Sequence, residues 1–126
     1  MTESTELTYR GLRKSEIASV IDHSVLKPES TPDDIRVGAE IAARNGVASL
    51  CIRPSDVPLA GGLLAGSRVR LSTVIGFPHG TTTTETKVFE SIQAVRGGVV
   101  ELDMVLNVGA LVAGDLELVT EDIRAV

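Results

Sequence analysis

Gly97-Gly98-Val99-Val100-Glu101-Leu102-Asp103-Met104-Val105-Leu106 decides the fold. Two glycines close whatever helix precedes them, because glycine tolerates the conformations in which helices end. The residues that follow are apolar at nearly every place and β-branched at Val99, Val100 and Val105. A near-continuous apolar run of this length predicts a strand of a parallel sheet covered on both faces. Two carboxylates interrupt it. Side chains alternate along a strand, so Glu101, Asp103 and Val105 share one face, and Leu102, Met104 and Leu106 share the other. The aliphatic face is the one to pack under helices.

Working back along the chain, the same unit recurs. Thr82 and Glu85 have capping-box spacing, and Val88, Phe89, Ile92 and Val95 then predict an amphipathic helix. Before it lies a strand over 69–75, and before that a short helix over 56–64, with Pro58 in its first turn. A strand over 47–52 follows Gly46. Thr31, Pro32 and Asp34 mark the start of a helix that buries Ile35, Ala39 and Ala42. The apolar run 19–26 is the first strand, led by a short helix over about 12–19. Downstream, Asp115 caps a last helix bearing Leu118, Val119, Ile123 and Val126. Residues 1–10 are polar and expected to be a flexible N-terminus, leaving 11–126 as the folded region.

Four strand–helix units of about 20 to 25 residues predict a parallel α/β architecture. The chain has 126 residues, whereas a closed eight-stranded barrel needs about 200 or more. Apolar residues make up 43% and aromatics only 2%, so the core must be aliphatic. A formal charge of −5 gives no bulk attraction to nucleic acid or anionic membrane. One cysteine, Cys51, excludes an internal disulfide and a Cys-rich zinc site. The N-terminal residues lack the basic-then-apolar pattern of a signal peptide, no apolar run is of membrane-spanning length, and the expected compartment is the cytoplasm.

Candidate chemistry sits where polar groups enter the apolar strands. Glu101 and Asp103 stand about 6.6 Å apart along one strand face. Asp103 lies nearer the C-terminal end, where barrel enzymes place catalytic groups, and Glu101 is expected to form a structural ion pair. Asp22 and His23 interrupt the first strand but point to opposite faces, so they cannot chelate one metal ion together. His23 is expected in the helix-facing layer with one ring nitrogen hydrogen-bonded. Cys51 shares a face with Ser49 and Arg53 and has no histidine base on its strand. Arg53 is either an anion contact or a solvated loop residue. The stretch 75–84, with Gly76, Gly80 and four threonines, is either a phosphate cradle or a rigid cap on the following helix, and it lacks the P-loop arrangement. Lys87, beside Glu90, is expected to be solvated.

These residues resemble a known family. Ile21-Asp-His-Ser-Val-Leu-Lys-Pro28, Ala48-Ser-Leu-Cys-Ile-Arg-Pro54, Val74-Ile-Gly-Phe-Pro-His-Gly80, Thr82-Thr-Thr-Glu-Thr-Lys-Val-Phe-Glu90 and Glu101-Leu-Asp-Met-Val-Leu-Asn-Val-Gly-Ala110 are similar to the N-terminal half of deoxyribose-phosphate aldolases. The resemblance implies a TIM (β/α)8-barrel fold of which this chain covers about the first four βα units. It implies a class I aldolase, a carbon–carbon lyase that reversibly cleaves 2-deoxy-D-ribose 5-phosphate to acetaldehyde and D-glyceraldehyde 3-phosphate through a lysine Schiff base, with no cofactor and no metal.

By the same resemblance Asp103 is the proton donor and acceptor, Asp22 supports its relay, and Cys51 lines the pocket. Arg53 departs from the asparagine often found there. The family's Schiff-base lysine lies on the sixth strand, its helper lysine on the seventh, and its phosphate loops beyond them. Lys14, Lys27 and Lys87 match neither lysine, so the 126 residues alone are expected to be an inactive fragment. Exposed strand edges are expected to bring homo-oligomers or other association, and the phosphorylated sugar is a partner only of the whole enzyme. The competing expectation is a non-catalytic half-barrel that serves as an assembly or regulatory partner.

Overall fold

The computed structural model describes residues 8–126. Its centre is a four-stranded, all-parallel sheet in sequential order: β3 (Asp22–Val25), β4 (Ser49–Ile52), β5 (Arg70–Ile75) and β6 (Glu101–Met104). A small antiparallel hairpin, β1 (Thr8–Tyr9) and β2 (Leu12–Arg13), precedes α1 (Lys14–Ala18). Residues 8–10, expected to be flexible, therefore lie in or beside that hairpin, and residues 1–7 fall outside the described residues.

Helices connect the strands: α2 (Pro32–Asn45), α3 (Val57–Leu63), α4 (Thr84–Arg96), then α5 (Val108–Ala113) and α6 (Leu116–Ala125) after the last strand. α2 starts as the sequence predicts. Thr31 Oγ1 accepts from the Asp34 N–H, the Asp34 carboxylate accepts from the Thr31 N–H at 2.7 Å, and Gly46 ends the helix at φ 63°. α4 begins one residue later than expected. Its cap is Thr83, which accepts from Thr86 N, rather than Thr82. Asp115 caps α6 through Leu118 N. The short α5, capped by Asn107, was not anticipated, since six residues are too few to show a helical period.

The register runs Asp22–Ser49–Arg70, then Ser24–Cys51–Ser72–Glu101, then Val74–Asp103. The opposite face carries Leu50, Ile52, Leu71 and Ile75, which with Ile35, Ala39, Ala42, Val57 and Ala60 form the aliphatic core beneath the helices. Leu102 and Met104 pack against that core, as their alternation predicts. Thirteen-residue α4 is the predicted helix, but its large apolar residues are not the ones it buries. Its buried stripe is Lys87, Ser91 and Ala94, while Phe89 is 64% and Val95 59% exposed. Val88, Ile92 and Val95 instead line a groove with Leu102 and Val126. Leu118 and Ile123 on α6 are exposed as well. The predicted apolar faces exist and are only partly covered among the described residues: Val119 is buried and Val88 and Val126 are half-buried, whereas Phe89, Ile92, Val95, Leu118 and Ile123 are exposed.

Candidate functional site

The inner face of the sheet is polar. β3 contributes Asp22 and Ser24, β4 Ser49 and Cys51, β5 Arg70 and Ser72, and β6 Glu101 and Asp103. Each is there because strand alternation puts it opposite the aliphatic face. Such groups are stable within a sheet only when hydrogen-bonded or wet. Here both conditions hold: Asp22, Ser24 and Asp103 are exposed, and the fully buried Ser49 and Ser72 are bonded to one another.

The contacts across this face are specific. Ser49 Oγ donates to Asp22 Oδ1 at 2.7 Å and lies 2.9 Å from Ser72 Oγ. Cys51 Sγ donates to Asp103 Oδ2 at 3.1 Å. β4 and β6 are not neighbours, and in a flat sheet they stand about 9.6 Å apart. Their side chains meet over β5 because this face is concave. The sheet therefore curves inward around the two aspartates.

Burial, followed by the hydrogen bond to Asp103, pushes the Cys51 thiol up to about 12. A thiol held protonated at neutral pH is a poor nucleophile. Glu101 pairs with Arg70 at 3.1 Å, the structural role expected of it, and among the described residues no cation pairs with Asp103. Asp22 and Asp103 thus share the same concave face, and Cys51 lies between them. The residues missed by the sequence reading are Ser49 and Ser72. The alternation that places Cys51 also places Ser49 beside it, but a small hydroxyl inside a strand carries no chemical signal of its own.

Outside this face three expectations change. Lys87 is fully buried, not solvated: its ammonium bonds Asp122 Oδ2 at 2.5 Å, while Glu90 turns away to accept the Gly76 N–H at 2.7 Å. Arg53 is not a solvated residue. Its guanidinium pairs with Asp56 at 2.6 Å and donates to the carbonyls of Lys27, Pro28 and Ser30. It ties the loop after β3 to the loop after β4 at the C-terminal edge of the sheet. His23 does face the helix layer, beside Val25 and Leu50 under Gly38, but no hydrogen bond to its ring is found among the described residues.

The loop after β5 is closely packed. Gly80 N bonds Gly76 O at 2.7 Å, and a Cβ at Gly80 would lie 2.0 Å from the Leu106 carbonyl oxygen. Gly76, at φ 66°, rests on the aliphatic stem of Lys87. This loop stands next to the end of β6, beyond Asp103. No cluster of three or more metal-ligating side chains occurs among the described residues, and no described helix is long and apolar enough to cross a membrane.

No protein-family profile matches the chain. Individual proteins do. A deoxyribose-phosphate aldolase of Bacillus cytotoxicus is 53% identical over 110 residues, which is 87% of this chain and 49% of that protein. A provisionally assigned deoxyribose-phosphate aldolase from Coccidioides immitis superposes with a TM-score of 0.87 at 38% identity, over 95% of this chain and 47% of the other. The deoxyribose phosphate aldolase of Aeropyrum pernix, described as a tetramer, gives 0.72 at 28% identity, over 86% and 50%. The chain is a homologue of deoxyribose-phosphate aldolases, spans about half the length of the curated relatives it matches, and folds as a partial (β/α)8 barrel.

Proposed function

We propose that these residues form the acid–base half of a deoxyribose-phosphate aldolase, with Asp103 moving the proton and Asp22 supporting it. The reaction is reversible cleavage of 2-deoxy-D-ribose 5-phosphate to acetaldehyde and D-glyceraldehyde 3-phosphate. The observation that carries this reading is the meeting of Cys51 and Asp103 on a concave face, in a chain about half-identical to named aldolases.

In this reading the carbonyl carbon is bound covalently by an amine that the 126 residues do not supply. The described strands contain no lysine. Lys87 is committed to Asp122, and Lys14 and Lys27 lie outside the four strands. Asp103 is exposed on the concave face and has no ion-pair partner among the described residues, so it takes up and returns the proton of the substrate hydroxyl or enamine carbon. Cys51 acts as a hydrogen-bond donor that orients Asp103, and its protonated state keeps it from competing as a nucleophile. Glu101 is occupied by Arg70.

The test mixes this chain with the half of the Bacillus cytotoxicus enzyme that it does not match, then adds acetaldehyde and borohydride. Trapping on the added half alone, with retro-aldol turnover that falls at least a hundredfold in Asp103→Asn, supports the proposal. A reduced adduct on Lys14, Lys27 or Lys87 of the isolated chain overturns it. A stable complex whose turnover ignores Asp103 would favour a non-catalytic assembly role, the reading suggested by the uncovered apolar stripe of α4.

A further inference from the structure

Asp22 and Asp103 stand on the two outermost strands of the sheet, yet an almost continuous line of small polar side chains joins them. Ser49 spends its one hydroxyl proton on Asp22 Oδ1, at 2.7 Å. In the 2.9 Å contact between Ser49 and Ser72 the donor must therefore be Ser72. Ser72 is also the register partner of Cys51, and Cys51 donates its S–H to Asp103 Oδ2. Ser49 and Ser72 are wholly buried and Cys51 nearly so, so the middle of the line is dry, while the two carboxylates at its ends are exposed.

We propose that Ser72 is a positioning residue that couples Asp22 to Asp103 by dividing one hydroxyl proton between Ser49 and Cys51. When Asp22 is charged, Ser49 donates to it and becomes a good acceptor, drawing the Ser72 proton toward β3. When Asp22 is neutralised, that pull weakens and Ser72 turns to the sulfur. A thiol that accepts a hydrogen bond becomes a stronger donor in turn, since chains of hydrogen bonds polarise one another. The Ser72 hydroxyl bears on Cys51 in the expected sense, opposing the rise in its pKa. The Asp22 charge also acts on Cys51 directly, and because that effect survives loss of the Ser72 hydroxyl, the Ser72→Ala background separates it from the coupling proposed here.

The inference rests on the aldolase reading for its purpose, but its test does not use activity. Cys51 is the only cysteine, so the infrared S–H stretching band of the 126-residue chain reports this one thiol. Asp22→Asn is expected to shift the band to lower wavenumber, as the donor bond to Asp103 strengthens. In Ser72→Ala the band is expected to move on its own and to keep only the direct effect of Asp22→Asn, while Ser72→Thr, which keeps the hydroxyl, restores the full response. A band that shifts in Asp103→Asn but responds to Asp22→Asn equally, or not at all, with and without the Ser72 hydroxyl overturns the coupling and leaves the aldolase reading intact. Loss of aldol turnover on complementation with an unchanged infrared coupling would do the reverse.

Discussion

Lys87 on α4 and Asp122 on α6 form an ion pair from which water is excluded, Nζ to Oδ2 at 2.5 Å, although 35 positions separate them in the chain. The second oxygen, Asp122 Oδ1, has no hydrogen-bond partner among the described residues. Desolvating two charges is costly, and their mutual attraction repays it only while both are present.

Removing one partner should therefore hurt more than removing both. Lys87→Met is expected to lower unfolding free energy by about 3–5 kcal/mol, because it strands a buried carboxylate. Lys87→Met combined with Asp122→Leu should recover most of that loss. Urea unfolding of the three proteins measures it. A double variant no more stable than the single would show that the pair is not the source of the effect.

Arg53 should resist replacement by lysine. Its planar fork serves Asp56 and three carbonyls at once, which a single ammonium cannot do. Arg53→Lys and Arg53→Ala are both expected to cost about 2 kcal/mol or more, from several lost charge-assisted bonds. Amide exchange across 27–30 should quicken in both, and unchanged exchange there would contradict the clamp.

Alkaline pH should weaken the fold through Cys51. The folded thiol ionises at about 12, well above its ordinary 9.0. Below the lower value both states keep the proton and the full contribution is present. As pH rises from there toward the folded value, the unfolded chain ionises first and stability falls, by about 1.4 kcal/mol per pH unit. Cys51→Ala lacks this slope, so the gap between the two proteins' urea midpoints should narrow between pH 8 and pH 10.5. A gap that stays constant would rule out the raised thiol.

Gly80 and Gly62 make a contrasting pair. At Gly80, φ is 69° and an added Cβ would strike the Leu106 carbonyl. Gly80→Ala is expected to cost about 3 kcal/mol or more through strain and displacement. Gly62 lies in α3 with open space where the Cβ would go. Gly62→Ala should stabilise by about 0.5–1 kcal/mol. Thermal melts of both variants decide it.

Much of this fold was legible from local chemistry. The Thr31–Pro32–Asp34 start of α2, the Gly46 stop and the alternation in β6 each follow from a short-range rule, and each is present. The site was half legible for the same reason: alternation set Asp22 against His23 in the first strand and Asp103 beside Glu101 in the last, while the meeting of Cys51 with Asp103 needs the register and curvature of the sheet. Lys87 was misread because Glu90, three residues on, looks like its partner. Glu90 is held by the Gly76 N–H, and the true partner lies on another helix. The apolar stripe of α4 is present as the periodicity predicts, but the buried face is that of Lys87, Ser91 and Ala94, since periodicity gives a face and not what lies against it.

The exposed Ile92 and Val95 on α4, together with the exposed Leu118 and Ile123 on α6, have a practical corollary for handling the isolated chain. Environment-sensitive dyes such as ANS should brighten on the native protein and not only on its unfolded form. Kosmotropic salts strengthen the tendency of such surface to leave water, so ammonium sulfate should precipitate this small acidic protein at unusually low saturation. Mild detergent or arginine in the buffer should keep it dispersed.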